Sequence, residues 1–252
     1  MTDDDLVQLR RLFEVMEQLR APGGCPWDRD QTHQTLLPFL LEETYEAIQA
    51  AEEGSPEELA EELGDLLVEV AMHSAIAAEA GTFDIGAVAQ MATEKMIGRH
   101  PHVFGDLPVT GVTQVLNNWE ELKRREKPER ASALDGIPRS LPALAQAAAI
   151  QRRQASGLRP GAPDRSNPDP ATAAQNLLGA LALGGVSGSS TEELVGELLF
   201  WVVALARASN VDAEGALRRF AAGRREDLRK RELEDRVEAS STAGPEAADE
   251  AN

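Results

Sequence analysis

Glu43 and Glu46 stand three residues apart, and so do Glu62 and Asp65. Residues at that spacing share one face of an α-helix. Each pair interrupts an apolar stripe: Leu40, Leu41, Ala47 and Ile48 flank the first, and Leu63, Leu66 and Leu67 the second. Acids on such stripes need a partner. If the two helices pack antiparallel, four carboxylates converge, and a hard cation relieves their repulsion. All-oxygen ligation suits Mg²⁺, or Mn²⁺ in its place. The chemistry expected of such a cluster is metal-dependent attack on a phosphate ester or anhydride. Glu42 points about 100° away from Glu43 around the helix; it either serves the metal as an outer ligand or orients the attacking water, or it lies on the surface. Glu52, Glu53, Glu57 and Glu58 read as a solvated helix face.

Two further pairs carry complementary chemistry. Lys95 and Arg99 are four residues apart, as are Trp119 and Lys123. A local cationic cluster can hold phosphate oxygens even in an acidic protein, and Trp119 can pack on a base or ribose. The bland readings are pairing of Lys95 and Arg99 with acids such as Glu94, and Trp119 as core. Trp27 and Gln31, with Asp28, either contact a base or belong to a loop that seals one end of a bundle. Cys25, His33, His73, His100 and His102 match no structural zinc spacing, and His73 reads as a packed core histidine. Gly-x-x-x-x-Gly-Lys-Ser/Thr is absent, and no ordered nucleophilic triad is visible.

The elements that must position these residues read as helices throughout. Apolar periodicity predicts a helix over 6–20, ended by Pro22-Gly23-Gly24, with a loop at 25–28. Thr35 is expected to cap a second helix, to about Ala51. Ser55-Pro56-Glu57-Glu58 is a capping box with proline at the first helical position, opening a third helix to about Glu79. Asp84 caps a fourth, to about Gly98; 101–108 reads as a loop, and 113–127 as a fifth helix. After a connector at 132–140, helices are expected from about Leu141, at 170–183, 190–209 and 212–234, with a flexible loop at 157–170. Few aromatics and abundant Ala and Leu favour packed helices over sheets.

The chain carries a formal net charge of −18 over 252 residues. That opposes general binding of nucleic acid polymers or membrane surfaces, which needs basic patches. A single cysteine suits a reducing compartment, and with no leader or membrane span in view a cytoplasmic protein is expected.

The two halves resemble each other. Glu62-Leu63-Gly64-Asp65-Leu66-Leu67 aligns with Leu194-Val195-Gly196-Glu197-Leu198-Leu199. In that alignment Glu43 becomes Gln175, Glu46 becomes Leu178 and Glu62 becomes Leu194; Asp65 alone keeps an acid, Glu197. The expected division is a catalytic helical domain at 1–131, a degenerate copy at 132–236 and a disordered acidic tail at 237–252.

Together, Leu41-Glu42-Glu43-x-x-Glu46 and Glu61-Glu62-Leu63-Gly64-Asp65 resemble the MazG family of nucleoside triphosphate pyrophosphohydrolases. Gly24-Cys25-Pro26-Trp27-Asp28-x-x-Gln31-Thr32-His33 matches that family's opening motif. Lys95-x-x-x-Arg99-His100-Pro101-His102-Val103-Phe104 matches its basic motif, and Trp119-x-x-x-Lys123 its closing one. The resemblance implies an all-α, four-helix-bundle type of fold that works as a homodimer. It also implies Mg²⁺-dependent cleavage of a nucleoside triphosphate between the α- and β-phosphates, to monophosphate and pyrophosphate. Glu43, Glu46, Glu62 and Asp65 would be the metal ligands, and Lys95, Arg99, Trp119 and Lys123 would bind substrate. The alternative is a non-catalytic nucleotide-binding or interaction module on the same scaffold.

Overall fold

The computed structural model describes residues 2–126, 132, 134–157, 168–184, 188 and 190–242. Among them every regular element is an α-helix, as expected, and they divide into two compact units, Met1–Gly111 and Val112–Asn252. The division falls after the segment Gly105–Gly111, which holds Pro108 between two glycines. It therefore leaves residues 112–126 with the second unit, rather than with the expected 1–131 domain.

In the first unit α1 (Asp3–Arg20) starts earlier than apolar periodicity suggests. Thr2 and Asp5 form a reciprocal capping box, and Asp3, Asp4 and Asp5 sit at the positive end of the helix dipole. The expected loop at 25–28 contains a short helix, α2 (Pro26–Asp30), opened by proline at its first position. α3 (Leu37–Glu53) begins after Leu36, and Thr35 does not cap it. The Thr35 hydroxyl donates to Gln31 Oε1 at 2.8 Å and accepts from the Thr32 amide, closing the preceding turn instead. Gly54 and Ser55 join α3 to α4 (Pro56–Glu79), whose capping box is present in full. So short a connection returns α4 along α3 as an antiparallel hairpin. Gly81, in the left-handed conformation at φ 68°, ends α4. Asp84 caps α5 (Ile85–Arg99), and the stretch expected as a loop opens with a helical turn, α6 (Pro101–Phe104).

α4 is the spine of this unit, packing against α1, α3 and α5. Met16, Leu36, Ala71 and Met72 are buried together, flanked by Leu12, Phe13, Leu19, Val68 and Ile76. Each large apolar side chain so buried contributes about 1.5–3 kcal/mol, enough for this core to hold α4 against α1.

The second unit holds α7 (Val112–Arg125), α8 (Ala143–Gly157), α9 (Pro170–Ala182), α10 (Thr191–Ala208) and α11 (Ala213–Thr242). Here α10 packs against α8, α9 and α11, around Ala173, Ala174 and Trp201. The order of partners matches α4 with α1, α3 and α5. α11 runs on through 237–242, where a tail was expected, because that stretch holds no glycine or proline; 243–252 and the loop at 158–167 lie outside the described residues. Among the described residues no single helix is long and apolar enough to cross a membrane.

Candidate active site

The α3–α4 hairpin brings the two acidic pairs together. Carboxylate oxygens of Glu43, Glu62 and Asp65 all lie within 4.8 Å of one another. Glu46 and Glu62 line one groove, and the charge of Glu46 acts on Glu62. Partial burial raises the pKa of Glu43 above its ordinary value, with the charges of Asp65, Glu46, Glu62 and Glu42 adding to the shift. Glu62 is raised for the same reasons, burial first and then Glu46, Asp65 and Glu61. Its Oε2 is shielded from solvent and has no hydrogen-bond partner. Repulsion and an orphaned oxygen are what an all-oxygen cation site shows when only its protein donors are considered. Around an octahedral Mg²⁺ with bonds of about 2.1 Å, neighbouring donors stand roughly 3.0 Å apart and opposite ones roughly 4.2 Å, so rotamer adjustments of about one to two ångström would close this set. These residues fit a hard divalent ion.

Beside the cluster, at the hairpin's connecting end, is a groove of about 400 Å³ lined by Glu46, Gln49, Ala50, Glu53, Glu58 and Glu62. Glu42 is exposed on α3, and its charge acts on Glu43. Lys95 and Arg99 lie on the last turns of α5, Lys95 exposed and Arg99 half-buried, and neither lines this groove. Trp119 and Lys123 lie on α7, in the second unit. Trp27 is exposed on α2 and meets Phe39 edge-on, ring centroids 5.9 Å apart. The Gln31 side-chain amide is engaged at both ends, donating to Trp27 O at 3.0 Å and accepting from Thr35. That arrangement ties the opening motif to the start of α3.

Two features escaped the sequence reading. Arg20 is buried at the end of α1; its Nε and Nη2 donate to the two Glu79 carboxylate oxygens at 2.8 Å each, and its Nη1 donates to the carbonyls of Asp28 and Gln31. One guanidinium thus fastens α1, the far end of α4 and the opening motif. The signal was present: Arg20 follows Met16 by four residues, on the apolar face. The second feature is a histidine pair. His33 Nδ1 and His73 Nδ1 are 2.7 Å apart, with ring planes 6° apart and centroids separated by 5.0 Å. His73 was expected merely to pack; instead it is hydrogen-bonded.

A profile of the MazG nucleotide pyrophosphohydrolase domain matches residues 31–104, from the opening motif through the basic one. A nucleoside triphosphate pyrophosphohydrolase of Escherichia coli K12 is 39% identical over 236 residues, 90% of this chain and 87% of that protein. This chain belongs to the MazG family. Another relative, the nucleoside triphosphate pyrophosphohydrolase/pyrophosphatase MazG of Thermotoga maritima, is 40% identical over 84% of this MazG chain and 81% of its own length. A Bacillus subtilis protein, YabN, is 45% identical over 139 residues, and there the match spans 28% of the relative. The two enzyme matches cover most of the MazG chain, whereas the domain profile ends at Phe104.

Proposed function

We propose that this protein hydrolyses nucleoside triphosphates between the α- and β-phosphates, releasing a monophosphate and pyrophosphate, with Mg²⁺ as the cofactor. The observation that carries the reading is the convergence of Glu43, Glu62 and Asp65 within 4.8 Å, with Glu46 against Glu62, at the edge of a groove. A bound Mg²⁺ would neutralise phosphate oxygens and lower the pKa of a coordinated water. Glu43, Glu46, Glu62 and Asp65 would hold it. The groove walls add Glu53 and Glu58, so a bare triphosphate is repelled and enters only with its charge countered by cations. Lys95 and Arg99 on α5, with Lys123, would screen the leaving pyrophosphate, and Trp119 would stack on the base.

The second unit serves this reading as a degenerate copy of the first. Glu197, its remaining acid, accepts a hydrogen bond from Trp201 Nε1 at 3.3 Å, and Leu194 is buried where Glu62 stands in the first unit. It supplies scaffold, and the protein acts in the cytoplasm as a homodimer.

The deciding experiment measures pyrophosphate and monophosphate release from a panel of nucleoside triphosphates with Mg²⁺. Glu46→Ala is expected to lower turnover by about 10²-fold or more with helicity unchanged. Unchanged pyrophosphate release in this variant would sink the assignment, and stepwise release of phosphate would replace it with another chemistry. Binding without turnover in the parent protein would favour a nucleotide sensor.

A further inference from the structure

Beyond the carboxylate cluster, the same face of α4 carries two more donor atoms that the proposed reaction leaves idle. Glu69 is 7% exposed, and its Oε2 has no hydrogen-bond partner. His73, four residues on, has its Nε2 shielded and likewise without a partner. Residues four apart lie one above the other, about 6 Å between Cβ atoms, so an orphaned oxygen and an orphaned nitrogen sit on neighbouring turns. An isolated buried carboxylate and an isolated ring nitrogen are each costly, and native proteins explain such groups with water or an ion.

The His33 contact distinguishes a ligand from a core histidine. The 5.0 Å centroid separation equals the 2.7 Å Nδ1···Nδ1 distance plus the two ring radii, and the planes differ by 6°. The rings are therefore edge to edge in one plane, joined by a straight Nδ1–H···Nδ1 bond. With the proton on His73, its Nε2 presents a lone pair. That is the arrangement of metal-binding histidines, whose second nitrogen donates to an acceptor that sets tautomer and ring orientation. Glu43, on the facing helix α3, is the charged group that acts on Glu69.

We propose that Glu69 Oε2 and His73 Nε2 are ligands of a second, transition-metal site next to the carboxylate cluster, with His33 as the positioning residue for His73 and water completing the coordination. Mixed nitrogen and oxygen donors suit Mn²⁺, Co²⁺ or Zn²⁺ and disfavour Mg²⁺, so two chemically distinct cation sites follow one another along α4. Glu69 is about 6 Å of helix rise beyond Asp65.

The test uses the metal-stripped full chain, saturated with Mg²⁺ and titrated with Co²⁺, whose visible absorption reports nitrogen ligation. The expected result is a Co²⁺ site that survives excess Mg²⁺ and weakens at least tenfold in Glu69→Gln and in His73→Asn. The asparagine keeps a donor toward His33 and removes the Nε2 ligand. His33→Ala is expected to weaken it about 10-fold or more through loss of orientation, and Glu62→Gln to leave it in place. Co²⁺ absorption abolished by Mg²⁺, or an affinity in Glu69→Gln and His73→Asn unchanged from the parent, would overturn the proposal. Circular dichroism confirms that each variant is folded; should His73→Asn unfold, the near-isosteric Glu69→Gln decides alone. Pyrophosphate release by the parent protein is a separate readout, so a failure of the second site and a failure of the proposed activity are told apart.

Discussion

A guanidinium taken out of water must meet donors' worth of oxygen, and Arg20 does: two carboxylate oxygens of Glu79 and two backbone carbonyls. Bidentate charge-assisted bonds of this kind are among the stronger single contacts. Glu79 is half exposed, so its share is screened; even so, Arg20→Met leaves the part-buried Gln31 carbonyl without this donor and removes one of the two donors to the Asp28 carbonyl, at a cost of about 1–2 kcal/mol. The hydrogen bonds from Arg20 hold the Glu79 pKa below its ordinary 4.5. A depressed acid stabilises the fold above the unfolded pKa, and that contribution is lost as pH falls through the lower folded value. The urea midpoint of the parent is therefore expected to decline below pH 4.5, and Arg20→Met to flatten that part of the decline; parallel curves would remove Arg20 from the account. The carboxylate pairs were legible because their helical spacing is local and interrupts apolar stripes. The Arg20–Glu79 and His33–His73 contacts were not, because they span 59 and 40 residues and depend on which helices pack.

Helix boundaries follow capping chemistry, and here the sequence was readable wherever a side chain makes the cap. Ser55 and Asp84 each accept the bond expected of them, and Ser190 caps α10 with the same kind of box. It was unreadable where tertiary contacts win: Thr35 has the right chemistry for a cap, yet Gln31 and Thr32 engage it, and the buried Leu36 takes the cap position. The turn between α1 and α2 shows why the opening motif begins with glycine. Gly24 donates to the Ala21 carbonyl, and Cys25 to that of Leu19. A Cβ on Gly24 would stand 2.2 Å from Leu19 O and 2.5 Å from Gln18 O, both backbone atoms that cannot swing aside. Gly24→Ala must therefore push α1 and α2 apart, at about 2 kcal/mol. Thermal unfolding of this variant checks it, with Gly23→Ala as a useful contrast: Gly23 has φ 89° but open space around its Cβ position, so its cost is conformational strain alone. A Gly24→Ala protein as stable as the parent would mean that this turn is not built as described.

At the scale of the whole molecule, the dominant fact is negative charge, −18 in total, focused by the α3–α4 hairpin onto a few carboxylates. Folding without a cation forces Glu43, Glu62 and Glu69 into surroundings that raise their pKa, by burial first and mutual repulsion second. An acid raised in the folded state favours folding while protonated, and its cost appears as pH climbs through the folded value. A divalent ion held as proposed would bind the ionised form and remove that cost, adding about 2.7 kcal/mol when its concentration is 100 times Kd. Two consequences separate this from general salt effects. The rise in melting temperature on replacing a chelator with Mg²⁺ is expected to be small near the ordinary glutamate pKa of 4.5, to grow as pH rises, and then to level off. It is also expected to vanish in a Glu43→Gln, Glu62→Gln double variant, whose chelated form should melt higher than the chelated parent at neutral pH. Screening by monovalent salt would instead act on the whole surface and leave the double variant responding to Mg²⁺ as the parent does. Calorimetric melting across pH, with and without chelator, distinguishes the two. A Mg²⁺ effect that is independent of pH, or that persists in the double variant, would place the cation elsewhere on this acidic surface and detach the hairpin from the chemistry assigned to it.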